Sequence, residues 1–404
     1  MRTSFLFRPL IRALALATIA AALPTVAGAV STFKVIHAFG MDKDGAGLWG
    51  SLAQDSAGHL YGTTSGGGAY GYGTVFELTP HVDGTWTESV LRSFRNNDPR
   101  GDDLNSTPTL DQAGNLYVTA SSGGGRGKNG TVFELMHGSG GWSLEVLYRF
   151  KAGGGESATG GVIDRNGNLY GTGIELSQGS SGWKLTVLHK FPSYQGDGVD
   201  PYAVPIVDAS SNLYGTTRRG GAYKAGTAYE ILRTAKGWKE QLLHSFPALP
   251  NDGQVPGLGA LVLDAEGNLY GTTVQGGRFA CTDVGCGTIF KLTRNASGFW
   301  EETILYNFAG GSKGSGPGAG VVMDRLGNLY GTTIYGGSGC DCGVVYKLAP
   351  GKNGKWTYTV LHTFVGSDGA QPDANLILDE KGNLYGTTAT GGPGGYGVAF
   401  EIMP

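Results

Sequence analysis

Helical periodicity is missing from this chain. After residue 29 no stretch carries apolar residues at helical spacing between recognisable caps, which excludes α-helical and α/β classes. Basic character is missing too: 30 Lys and Arg stand against 33 Asp and Glu, with no basic stripe, so neither nucleic acid nor an anionic membrane surface is expected as a partner. There is no His-x-x-x-His and no Cys/His cluster at metal-ligand spacing, so no metal and no other cofactor is expected. No apolar segment follows the first one, and the tail ending at Pro404 has none, so no membrane span is expected once that first segment is removed.

The first segment has the layout of a secretory leader. Arg2, Arg8 and Arg12 form its basic end, Ala13–Leu23 its apolar run and Ala27-Gly28-Ala29 a small-residue cleavage site. The run is 11 residues, where about 20 are needed to span a bilayer, which disfavours a membrane anchor. Residues 1–29 are therefore expected to be a signal peptide and 30–404 one mature domain, secreted, periplasmic or at the cell surface. Losing three arginines moves the formal charge from −3 to −6.

What the chain has in quantity is a repeat. The phrase Gly267-Asn268-Leu269-Tyr270-Gly271-Thr272-Thr273 recurs, sometimes eroded, with its tyrosine at Tyr61, Tyr117, Tyr170, Tyr214, Tyr270, Tyr330 and Tyr385. Around each copy stand four short apolar runs bounded by Gly, Asn, Asp and Pro, the pattern of short antiparallel strands, here A to D. Strand A ends in Asp55, Asp111, Asp164, Asp208, Asp264, Asp324 or Asp379, and Asp-x-x-Gly-Asn reads as a type I turn with the Asp side chain on its own backbone. A ring of seven acids binding cations or sugar is the less economical reading. Strand B is the phrase itself, whose tyrosines suit packing between blades. Strand D starts at Trp86, Trp142, Trp183, Trp238, Trp300 or Trp356, each eight residues before a phenylalanine; the periodicity favours a structural role over a sugar platform.

Seven four-stranded units protect their edges best as an all-β, seven-bladed β-propeller. Phe33–Phe39 is a strand D with nothing before it, and Val398–Ile402 a strand C with no D behind it. The N-terminal strand is therefore expected to close the last blade.

The phrase G-N-L-Y-G-T-T, followed by glycine-rich residues and a strand like Gly73–Leu78, resembles the GloVer tandem repeat of bacterial exported proteins, over residues 31–404. The resemblance implies a soluble exported form, since the C-terminal surface anchors common in that family have no counterpart here. It brings no established activity and no catalytic residues.

Function should sit where copies depart from one another, on the top-face B-to-C and D-to-A loops. Cys281, Cys286, Cys340 and Cys342 all lie in B-to-C loops, where an exported chain favours disulfides over zinc. Cys281 with Cys286 can close one hairpin; Cys340 and Cys342 are two apart and their pairing is open. Asp-Gly recurs in four D-to-A loops, at Asp44, Asp197, Asp252 and Asp368, and reads as a turn. Trp49, the one tryptophan outside the repeat, and Arg100, Asp102 and Asp103 of blade two are the ligand-binding candidates. They lie beside a third blade that has lost its B-to-C loop, which should notch the top wall. Two functions follow: a monomeric, non-catalytic propeller binding a glycan, peptide or partner protein, or an extracellular propeller enzyme such as a glycan hydrolase or lyase, which needs two facing carboxylates.

Overall fold

Each repeat folds as a four-stranded antiparallel sheet because its apolar runs are too short to bury both faces alone, so neighbouring sheets must stack on one another. The computed structural model describes residues 31–125, 129–151, 160–191, 197–247, 249, 251–281, 284–337 and 339–404. The expected leader lies outside them. In blade five the strands are Val262–Leu263, Leu269–Gly276, Thr288–Arg294 and Trp300–Asn307, with a further strand, Gly253–Pro256, paired to the long second one. Seven such sheets make a seven-bladed propeller with no α-helix among the described residues. Blade seven joins Ile377–Leu378, Leu384–Thr387 and Val398–Met403 to Thr32–Ala38, which pairs antiparallel from Thr32 opposite Met403 to Ala38 opposite Val398. The split blade is thus closed by the N-terminal strand.

The organising phrase does three jobs. Its tyrosine hydroxyl donates to the turn aspartate in every blade, as Tyr270 does to Asp264 Oδ2 at 3.0 Å. Asn268 N and Nδ2 complete that turn, each 2.7 Å from an Asp264 oxygen. Burial would raise the Asp264 and Asp324 carboxyls, but these bonds outweigh it and hold both below the ordinary value. The seven acids are consumed as turn chemistry. The same tyrosine packs on the next blade: Tyr61 meets Trp142 edge-on at 6.1 Å and Tyr385 meets Trp86 at 5.9 Å, contacts worth about 0.5–1.5 kcal/mol each beyond area burial. No tryptophan is needed opposite Tyr330, whose neighbour is the N-terminal strand.

The glycine of the phrase lies under an aromatic ring of strand C. A Cβ on Gly271 would stand 2.6 Å from Phe290 Cζ, so no larger residue fits without displacing that ring. The first threonine ties blade to blade: Thr63 Oγ1 donates to Ser106 O and Thr272 Oγ1 to Ala319 O, each at 2.7 Å. Strand B is buried on both faces, since one faces the previous blade and the other the next.

Both cysteine pairs are disulfides, Cys281–Cys286 and Cys340–Cys342, with Cα separations of 5.1 and 5.2 Å. Blade three keeps four strands, but only Thr172-Gly173 joins its second to its third. Ile174 there replaces the aromatic residue of the other blades, and a void of about 20 Å³ opens between blades two and three. Residues 152–159, which lead into strand A of that blade, lie outside the described residues.

Candidate functional site

Strand A is only two residues long in every blade, because the turn aspartate ends it and the residues before it bend away toward the channel mouth. The bend has a repeated cause. Eight positions before the turn aspartate, Gly47, Asp103, Asp200, Gly316 and Gln371 all take a positive φ, between 56° and 70°. Each also accepts a backbone bond from just after strand B, as Asp103 O does from Ser121 N and Asp200 O from Arg218 N. The next two residues are thereby turned inward. Six before the turn aspartate stand Trp49, Asn105, Tyr202, Leu258, Gly318 and Asp373; the blade-three equivalent, Ala158, lies outside the described residues.

These segments converge. Trp49, Asn105, Tyr202, Leu258 and Asp373, with Ser51, Ser106, Thr107 and Asn375 behind them, line one cavity of about 430 Å³ at the mouth of the channel. Trp49 and Tyr202 are 47% and 53% exposed, so two aromatic faces are offered to a ligand from blades one and four. Arg218 lies over the Tyr202 ring, 6.0 Å from its centroid. Asn375 Oδ1 accepts from Gly320 N at 2.7 Å, which fixes that amide in the wall.

Asp373 is the anomaly. Its Oδ1 is buried without a hydrogen-bond partner, tucked where a side chain on residue 318 would collide with it; Gly318 leaves the room. Burial lifts its carboxyl to about 6, against an opposing pull from Arg218. Thr332, whose counterparts tie one blade to the next, also has a partnerless hydroxyl at this seam between blades six and seven. An uncompensated buried carboxylate costs stability, so it needs a reason to be there.

The sequence-predicted residues part company here. Trp49 lines the cavity. Asp103 is the left-handed residue of its loop, and its oxygens accept from Asn105 Nδ2 at 2.8 Å and Ser121 Oγ at 2.7 Å, so it positions two lining residues. Asp102 is 6% exposed, accepts from Asn97 N and Ser122 Oγ, and lies outside the lining. Arg100 Nε donates to Asp98 Oδ1 at 2.9 Å in a separate cleft.

Sequence reasoning passed over Tyr202, Asp373 and Asn375. The signal was available in the column six before the turn aspartate, where every copy carries a different residue. It also read the Asp-Gly aspartates as bare turns. Three of them hold a strand-D histidine: Asp44 with His37 and Asp197 with His189 at 3.0 Å, and Asp368 with His362 at 2.9 Å. Beside such pairs, Glu88 and Glu240 are pushed up to about 7 by burial, helped by Asp44 and Asp197 respectively. Among the described residues no cluster suits a metal ion, and none of the cysteines is free.

No curated protein matches this chain. Among solved structures, PorZ, an essential bacterial surface component of the type-IX secretion system of Porphyromonas gingivalis, is similar at 13% identity and a TM-score of 0.51, over 91% of this chain and 48% of PorZ. The chain thus spans about half the length of that protein, and the likeness is one of fold alone. A Thermus thermophilus protein named as a putative oxidoreductase (glucose dehydrogenase) overlaps 92% of this chain and 100% of its own at 13% identity and a TM-score of 0.44, too loose to bear on function. The Gloeobacter/Verrucomicrobia repeat matches residues 24–183 and 176–400, nearly the whole described chain, and the protein is accordingly a member of that repeat family.

Proposed function

We propose that the protein is an exported, non-catalytic propeller that binds an extracellular glycan in the mouth of its central channel. The observation that carries this reading is that the position six before the turn aspartate, which differs in every copy while the turn aspartate and the phrase tyrosine recur in all seven, converges on one cavity. Flat aromatic faces at Trp49 and Tyr202 suit the C–H face of a pyranose ring, while Asp373, Asn105 and Asn375 supply planar polar groups for its hydroxyls. A site ringed by blades admits a chain end or branch more readily than the flank of a long polymer. Peptide and protein ligands usually engage broader surfaces. Among the described residues that line the cavity, Asp373 is the one carboxylate, so no facing pair of the kind glycoside hydrolysis needs stands among them. Two disulfides and the leader-like first 29 residues favour an extracytoplasmic location. Among the described residues no helix is long and apolar enough to span a membrane.

A panel of polysaccharides and oligosaccharides, scored for binding by calorimetry and for cleavage by reducing-end release, tests the proposal. Binding without cleavage is expected, weakened at least tenfold in both Trp49→Ala and Tyr202→Ala. Cleavage of any member, or affinity unchanged in both variants, overturns it.

A further inference from the structure

Arg100 does not reach the channel mouth. It stands instead with Arg92 and Arg95 in a cleft of about 530 Å³ at the outer edge of blade one, where strand D runs into the D-to-A loop beneath Tyr70. Three guanidinium groups share this cleft with a single lining carboxylate, Asp98, in a chain whose formal charge is negative. Asp98 is already committed: it is 3% exposed and accepts from both Arg100 Nε at 2.9 Å and Arg100 N at 3.0 Å. Arg95 lies 4.1 Å over the Tyr70 ring, on the exposed side of the cleft. Arg92 Nε is buried with no hydrogen-bond partner.

The repeat shows why Arg92 is left over. Its position is His37, Tyr148, His189, His244, Tyr306 or His362 in the other blades. In blade four that residue faces an acid of the next blade, His244 lying 3.1 Å from Glu302 Oε2. The position matching Glu302 in blade two, across from Arg92, is Leu144. This seam therefore has a cation on one side and no acid at the matching position on the other, and two further arginines stand beside it.

We propose that this cleft binds the oxyanion group of an extracellular ligand, a sulfate ester, phosphate or uronate, held by the guanidinium groups of Arg92, Arg95 and Arg100. Guanidinium forks match the geometry of such groups, and charge-assisted bonds to them are stronger than neutral ones. The anion supplies the acceptor that Arg92 Nε lacks and relieves the mutual repulsion of three like charges. This site lies apart from the channel mouth and does not rest on the glycan reading.

The test uses the full mature chain at low ionic strength. Melting temperature is followed as sodium sulfate, sodium phosphate or sodium glucuronate is added, against sodium chloride at matched ionic strength. At least one oxyanion is expected to raise it saturably above the chloride control. The responding arm tells which chemistry the site prefers. The apparent dissociation constant should weaken at least tenfold in Arg92→Met and in Arg95→Gln, and stay unchanged in Trp49→Ala. Without added anion, Arg92→Met should melt no lower than the parent, since it removes a repelling charge. A structural ion pair with Asp98 would give the opposite. Arg95 is exposed, so Arg95→Gln keeps the test alive should Arg92→Met fold poorly. No oxyanion effect beyond chloride, or an equal effect in parent and Arg95→Gln, overturns the proposal.

Discussion

Replacing Asp373 with Asn should stabilise the protein at neutral pH while weakening its binding of ligand. Burial raises this carboxyl from 3.8 to about 6, so between those values the folded state holds a proton that the unfolded chain has released. Folding therefore loses stability as pH rises from about 4 to about 6. A shift of about two units corresponds to roughly 3 kcal/mol at about 1.4 kcal/mol per unit. Water at the cavity mouth reduces the effect, leaving about 1–3 kcal/mol. The amide has the same shape without the charge, so Asp373→Asn should recover most of that amount at pH 7.5 and almost none at pH 3.5, where the parent side chain is itself neutral. Melting of parent and variant at the two pH values measures it. The other buried acids contribute equally to both proteins and cancel in the difference. A domain of this size shifts by roughly 1–2 °C per kcal/mol. An equal shift at both pH values, or a variant less stable than the parent at pH 7.5, would refute the idea that the carboxylate is uncompensated. Unchanged affinity for a bound saccharide would refute its role in the site.

Glu240, pushed up to about 7 chiefly by burial, has the same sign: Glu240→Gln should gain about 1–3 kcal/mol at pH 8 and little at pH 4, read by denaturant titration at each pH, with equal gains counting against it. Phe39, 1% exposed and packed on Phe76 of blade one at 4.9 Å, anchors the end of the closing strand; Phe39→Ala should cost about 3–5 kcal/mol, and a loss under about 1 kcal/mol would mean the shared blade is not held there. Removing Ser31–Phe39 altogether exposes the edge of Val398–Met403 and should cause aggregation or a much lower melt; a parent-like melt contradicts closure. Cys281–Cys286 closes a loop with a separation of only 5 residues, so the double serine variant should lose about 2 kcal/mol and keep its fold by circular dichroism; unfolding at room temperature would show a larger role.

The blade and its repetition are written out in the amino-acid order. Turn aspartates, the phrase tyrosine and the strand-D tryptophan recur at fixed spacing because each does a job within one blade or against the next, and such short-range chemistry must be present in every copy. Closure was legible for the same reason: a lone strand D at one end and a missing one at the other are complementary remainders of the period. The site was not legible in this way. Trp49 and Asp373 stand at opposite ends of the chain and share a cavity only because the seventh blade closes on the first. Arg100 and Asp103 are three residues apart, yet the left-handed turn at Asp103 sends the chain inward after Arg100 has been held outward by Asp98. Proximity along the chain suggested one cluster; ring closure and a backbone inversion place its members in two separate clefts, because side-chain direction in a loop depends on bonds to a neighbouring strand that no local pattern records.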